Sequence, residues 1–157
     1  MALQLSTGLR TAWLGTTALT KSFKDMMKDG VIRIYSGSQP VDADAAETGT
    51  LLVLITLNSG SFTPGSPDNG LEFGDASDGV IAKADGEVWS GVGLAEATAG
   101  WFRFYDNNMT TGASTSAIRF DGSVGTSGAQ LILSNINITV GATITIDSFQ
   151  ITLPASA

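Results

Sequence analysis

Ile136-Asn137-Ile138-Thr139-Val140-Gly141-Ala142-Thr143-Ile144-Thr145-Ile146 is the stretch on which the reading of the fold turns. Ile136, Ile138 and Val140 alternate with Asn137 and Thr139, and beyond Gly141-Ala142 the residues Ile144 and Ile146 alternate with Thr143 and Thr145. Successive side chains of a strand point to opposite faces, so a period of two marks strands with one face buried. The Gly-Ala pair between the two arms supplies a turn, and together they predict an antiparallel hairpin. Phe149, Ile151 and Leu153 then fall on the opposite parity, which predicts a β-bulge near Asp147-Ser148.

The same period extends backwards to Val31. Candidate strands are Val31–Ser36, Leu51–Asn58, Leu71–Phe73, Val80–Ala84, Glu87–Val92, Trp101–Tyr105, Ala117–Asp121, Gln130–Leu133, Ile136–Val140 and Thr143–Leu153. Asn58-Ser59-Gly60, Asp68-Asn69-Gly70 and Asp85-Gly86 punctuate them with residues that tolerate the positive φ of tight turns. Leu51 to Leu57 is apolar on both faces and reads as a central strand covered on both sides. Short strands with frequent turns predict a mainly β chain, an antiparallel β-sandwich preceded by a short helical segment.

That segment is residues 6–29. Leu9, Ala12, Trp13, Thr16, Leu19, Phe23, Met26 and Met27 recur at spacings of three and four, which makes one core-facing stripe. Gly15-Thr16-Thr17 divides it into two helices, the second capped by Thr16 or Thr17 and ended by Gly30. Lys24 and Lys28 complement the dipole of its last turns. The 157 residues suit one domain over 1–157, with 1–30 helical and 31–157 the β body.

Composition narrows the chemistry. The absence of cysteine rules out disulfides and thiol nucleophiles, and the absence of histidine removes the commonest general base and metal ligand. Lys83 is the sole lysine of the β body, and no serine-lysine pattern accompanies it. Asp42-Ala43-Asp44 and Asp75-Ala76-Ser77-Asp78-Gly79 lack the oxygen spacing of a calcium loop and read as turns. Gly91-Val92-Gly93-Leu94-Ala95-Glu96 lacks the third glycine of a dinucleotide loop. A pair of carboxylates meeting in a cleft, as in a glycosidase, is the remaining catalytic possibility. The chain is expected not to be an enzyme and to hold no cofactor and no metal.

The net charge of −7 speaks against nucleic acid and anionic membranes, which are bound by neutralising phosphate with Lys and Arg. The charge is uneven. Arg10, Lys21, Lys24, Lys28 and Arg33 face only Asp25 and Asp29 in residues 1–33, leaving that part at +3 and the rest at −10. Either the segment is a solvated helix with a few lysines, or it lies against an acidic surface of its own body or of a neighbour. Charged residues are 15% of the chain, below the roughly 25% of an average domain, so the surface relies on Ser, Thr, Gly and Asn. Neutral polar groups are easier to desolvate in an interface than Lys or Glu. The N-terminus has no basic region ahead of its apolar residues and no apolar run is long enough to span a bilayer, which predicts a protein made and used without a secretion signal.

Two long loops, Ser36 to Thr50 and Ser59 to Gly70, are candidate contact regions. In Trp101-Phe102-Arg103-Phe104-Tyr105, alternation places Phe102 and Phe104 on one face and Trp101, Arg103 and Tyr105 on the other. Arg33 beside Tyr35 repeats the arrangement. Aromatics flanking an arginine, with Trp89 nearby, make either a sugar-stacking or protein-binding platform or a second buried layer in which Arg103 pairs with Asp121 or Asp106. The candidate partner-binding residues are therefore Arg10, Lys21, Lys24, Lys28, Arg33, Tyr35, Trp101, Arg103 and Tyr105, together with the Ser36–Thr50 loop.

Leu5-Ser6-Thr7-Gly8-Leu9-Arg10, Ile32-Arg33-Ile34-Tyr35-Ser36-Gly37-Ser38-Gln39-Pro40, Gly100-Trp101-Phe102-Arg103-Phe104 and Asp121-Gly122-Ser123-Val124-Gly125-Thr126-Ser127-Gly128-Ala129-Gln130-Leu131 resemble, in order and spacing, a group of small virion proteins of tailed bacteriophages. The resemblance implies a capsid cement, or decoration, protein with a jelly-roll-like β-sandwich. It further implies a homo-oligomer that bridges major capsid protein subunits on the virion surface after synthesis in the host bacterial cytoplasm. It carries no catalytic residues. The alternative is a carbohydrate- or receptor-binding module of a phage tail or head fibre, stacking sugars on Trp101, Tyr105 and Trp89.

Overall fold

A computed structural model describes residues 3–15 and 21–155. The chain is mainly β and antiparallel, as the alternation predicts. Its elements are β1 (Gln4–Leu5), α1 (Thr7–Leu14), α2 (Phe23–Met26), β2 (Val31–Ser36), β3 (Leu51–Leu57), β4 (Val80–Ala82), β5 (Trp89–Val92), β6 (Ala97–Tyr105), β7 (Arg119–Gly125), β8 (Leu131–Ile132), β9 (Asn137–Ile138), β10 (Thr143–Ile146) and β11 (Gln150–Thr152). The large sheet runs β1-β7-β6-β2-β3-β5-β10, with β8 added to β7 and β9 to β6, and β11 pairs with β4 in a small second sheet. Among the described strands, only β7 and β8 pair in parallel.

The core fills the space between the large sheet and a second layer made by β4, β11, α2 and the segment around Phe73. Phe102, Phe104, Phe120 and Trp89 rise from the large sheet, and Phe23, Phe73 and Phe149 meet them from the other side with ring centroids 5.4–6.4 Å apart. β3 lies between β2 and β5 as a central strand, with Leu52, Val53 and Ile55 fully buried in the core, whereas Leu51, Leu54 and Leu57 are half-buried, so the expected cover on both sides is incomplete. Asn58, Ser59, Asn69, Gly86 and Gly141 adopt the positive φ expected of the turns.

The C-terminal hairpin is not formed. β9 pairs with β6 through Ala97 and Thr98, whereas β10 pairs with β5. The turn between the two arms exists, with Ala142 N–H donating to Thr139 O, but Gly93 enters between the arms. Its N–H donates to Ala142 O and its carbonyl accepts from Gly141 N–H. A Cβ at Gly93 would stand 2.1 Å from Thr139 O, so only glycine fits there. Ile138 and Ile146 still point into the core, while Val140 is exposed. The change of parity near Asp147-Ser148 is not a bulge either. The chain leaves the large sheet after Ile146 and joins β4 from Gln150, with Phe149 plugging the core between them. Leu71–Phe73 forms single bridges to Gly30 and Lys83 rather than a strand.

The N-terminal part differs from a purely helical segment. Gln4 and Leu5 pair with Asp121 and Phe120 as an edge strand. Ser6 then caps α1: its hydroxyl accepts from Leu9 N–H and Arg119 N–H and donates to Ala117 O, all in a fully buried position. α2 is shorter than expected and is capped by Ser22 in a capping box with Asp25, while Thr16, Thr17 and Leu19 lie outside the described residues. α2 closes at Met27, and the positive φ after it belongs to Asp29 rather than Gly30. Leu9, Ala12, Met26 and Met27 face the core, as the stripe requires.

Candidate functional site

Trp101, Arg103 and Tyr105 of β6, with Tyr35 of β2, form a second buried layer on the face of the large sheet opposite the phenylalanine core. Arg103 is fully buried and grips Asp121 across the β6–β7 pair, Nε to Oδ1 at 2.6 Å and Nη2 to Oδ2 at 2.8 Å. Its Nη1 donates to Ala45 O and to Glu47 Oε1. Glu47 also accepts from the Tyr105 hydroxyl at 2.6 Å and from Gly112 N–H at 2.9 Å. The indole of Trp101 stacks on Tyr35 at 4.6 Å and lies under the Arg103 guanidinium at 5.4 Å.

Arg119 completes the layer. Its guanidinium donates to five backbone carbonyls, those of Ala43, Thr110, Asp44, Ala45 and Gly112. Two loops, residues 37–50 and 106–117, are thereby tied over the sheet face. The first of them, expected to reach toward partners, turns only part of its length inward: Gln39, Pro40 and Ala43 are buried and Asp44 accepts from the Thr7 N–H and hydroxyl, while Gly37, Ser38, Val41, Asp42, Ala46 and Thr48 to Thr50 are exposed.

Electrostatics explains why the loop needs its acids. Burial works against the charge of Arg103, but the bonds and charge of Asp121 outweigh it, so the guanidinium holds its proton more tightly than usual. Burial likewise pushes Glu47 up, and the donors from Tyr105 and Gly112 with the charge of Arg103 bring it below its ordinary 4.5. For Asp44, burial raises, the two Thr7 bonds lower, and the net position is below 3.8. A carboxyl depressed in the folded state stabilises fully above its unfolded pKa and loses that contribution as pH falls through the folded value. Thermal midpoints measured from about pH 5 down to about pH 2.5 should therefore fall, and Glu47→Gln should flatten the drop. An unchanged slope in that variant would show that Glu47 does not set it.

The nominated residues thus divide. Tyr35, Trp101, Arg103 and Tyr105 are at most 4% exposed and serve the protein's own layer, which corrects their assignment to a contact surface. Trp89 is also fully buried, in the phenylalanine core, so no sugar can stack on Trp101, Tyr105 or Trp89. The pairing of Arg103 is with Asp121, not Asp106, whose carboxylate bonds to Asn108. Arg10 and Lys24 turn to their own surroundings, Arg10 donating to Thr7 and Lys24 pairing with Asp75 at 2.6 Å, while Lys21 and Lys28 are exposed. The positive N-terminal segment therefore lies partly against an acid of its own body. Arg33 alone of the strand arginines is partly exposed.

Arg119, Glu47 and Ser6 are the residues that sequence reasoning passed over. Arg119 and Asp121 stand two apart on one strand face, a spacing that places an acid and a base together and was the available signal. Ser6 and Glu47 act across 113 and 56 residues of chain, to Arg119 and Arg103, where no local pattern marks them.

Among the described residues, one concave feature is an apolar groove of about 350 Å³ between the N-terminal elements and the β4–β11 pair, lined among others by Leu5, Trp13, Phe23, Ile81 and Ile151. Its lining is mainly apolar, with Ser22 and Lys24 among its polar members. Among the described residues no three His, Cys, Asp or Glu side chains are grouped to hold a metal ion, and no helix is long and apolar enough to cross a membrane. Compared with protein-family models, curated proteins and solved structures, the chain matches none.

Proposed function

We propose that the chain is a non-enzymatic structural protein of a phage virion, a cement protein that binds the capsid shell as an oligomer and bridges major capsid protein subunits. The observation that carries this reading is where the reactive-looking groups go. Both fully buried arginines and the carboxylates that meet them are consumed in fastening loops, with hydrogen bonds on each guanidinium nitrogen. What is left outside is a charge-poor surface of Ser, Thr and scattered aliphatics, suited to adhesion. The sequence resemblance supplies the shell as the surface adhered to. Many modest contacts on a symmetric particle add up through multivalency.

The alternative of a glycan-binding module loses its aromatic platform to burial and would have to rest on other residues. The deciding experiment is co-sedimentation of the purified protein with shells assembled without it. Saturable binding is expected at micromolar protein, and bound shells should survive heating better than bare ones. Absence of the protein from the shell pellet would sink the proposal.

A further inference from the structure

One transverse row of the large sheet is half covered and half open. On the outer face, Asp121 of β7 stands opposite Arg103 of β6, Arg103 opposite Arg33 of β2, and Arg33 opposite Leu54 of β3. The pairings Thr56↔Ser90 and Val53↔Gly93 put Leu54 across from Val92 of β5, and Val92 faces Thr143 of β10. The 37–50 loop roofs the Asp121–Arg103 end through its bonds to Arg103 and Arg119. At the other end Val92 is 42% exposed, Leu94 two residues further along is 56% exposed, and Thr143 is exposed.

Arg33 marks the border, and it is unmatched. Arg103 has Asp121 and Glu47, and Arg119 has five carbonyls, but among the described residues no carboxylate lies within ion-pairing distance of Arg33. Its Nε is buried without an acceptor, its guanidinium carbon lies 5.9 Å from the Tyr105 ring, and its strand neighbour is another cation. Among the described residues its two terminal nitrogens meet no hydrogen-bond acceptor, and neither is among the buried atoms. A half-buried cation held by an aromatic ring beside a like charge gains from an anion more than a solvated lysine does, because the surrounding low dielectric strengthens the attraction.

We infer that this open half-face is the docking surface for another protein, and that the partner contributes one Asp or Glu carboxylate to Arg33 while an adjoining aliphatic side chain packs on Leu54, Val92 and Leu94. The charge complement commits the occupant to an acidic, apolar-flanked polypeptide segment. Under the function proposed above, on which this inference rests, that segment belongs to the capsid shell.

The test uses shells assembled without this protein, with wild type, Arg33→Gln, Val92→Asp and, as a distant exposed variant, Asp85→Asn. Wild type and Asp85→Asn should bind alike, while Arg33→Gln and Val92→Asp should each weaken retention by about tenfold or more. Retention of wild type should fall with added salt, and that of Arg33→Gln should fall less. The thermal midpoint of free Arg33→Gln should match wild type, which separates a docking role from a structural one. Equal retention of all four proteins would overturn the surface while leaving cementing intact. Self-association of wild type that Arg33→Gln abolishes, with shell binding unaffected, would overturn it in favour of a second copy. Wild type that does not bind shells would remove both proposals together.

Discussion

Arg103→Ala should lower the stability of the chain by ~3–5 kcal/mol, the cost of leaving the other charge of a buried pair without its partner. Asp121 would remain fully buried with neither of its short guanidinium bonds, and Glu47 would lose one donor of those that hold the 37–50 loop. In a chain of this size each kcal/mol moves the thermal midpoint by roughly 2–4 °C, so a fall of about 6–20 °C is expected. The damage comes from the orphaned acid rather than from the lost attraction. Replacing both partners, Arg103→Met with Asp121→Leu, should therefore recover most of the loss, because an apolar pair of similar volume avoids desolvating two ions. A single substitution costing under about 1 kcal/mol would mean that the pair does little for stability. A double substitution no better than the single would place the role of Arg103 in the loop carbonyl of Ala45 instead.

That layer also shows how far the sequence carries. Alternation in Trp101 to Tyr105 divided the side chains correctly between two faces, because the pleat fixes orientation locally whatever the strand pairs with. Whether the Arg-aromatic face was open or covered depended on the 37–50 loop, and the loop was decided by Asp44 and Glu47 reaching residues far away in the chain. Their carboxylates are the counter-charge and acceptor set for a buried sheet face. Strand pairing failed for the same reason of range. The period in Ile136 to Ile146 fixes which side chains are buried, but Gly93 intervenes from more than 40 residues upstream and sends the arms to different neighbours. On the candidate docking face, Arg33 was legible as a notable residue, whereas its lack of an acid could be known only once every other arginine had found its partner.

Phe149→Ala should cost ~3–5 kcal/mol, the usual range for emptying a large aromatic from a packed core. Phe149 is 4% exposed and meets five rings, those of Phe73, Trp89, Phe102, Phe104 and Phe120. It also bridges the two sheets, since β10 before it belongs to the large sheet and β11 after it to the small one, and its carbonyl accepts from Lys83 N–H. Besides Ile81 and Ile151, partly buried against the core, Phe149 is the main anchor of the three-residue β11–β4 pairing, and two short strands alone are marginal in water. Loss of the ring should consequently open residues 147–155 before the rest of the chain, read as earlier amide exchange and a first proteolytic cut in that segment. Leu153→Ala, at a position 51% exposed, should change stability by less than ~0.5 kcal/mol. If Phe149→Ala instead lowers protection evenly across both sheets, the C-terminal strand is held by its own pairing, and the ring serves only as filling.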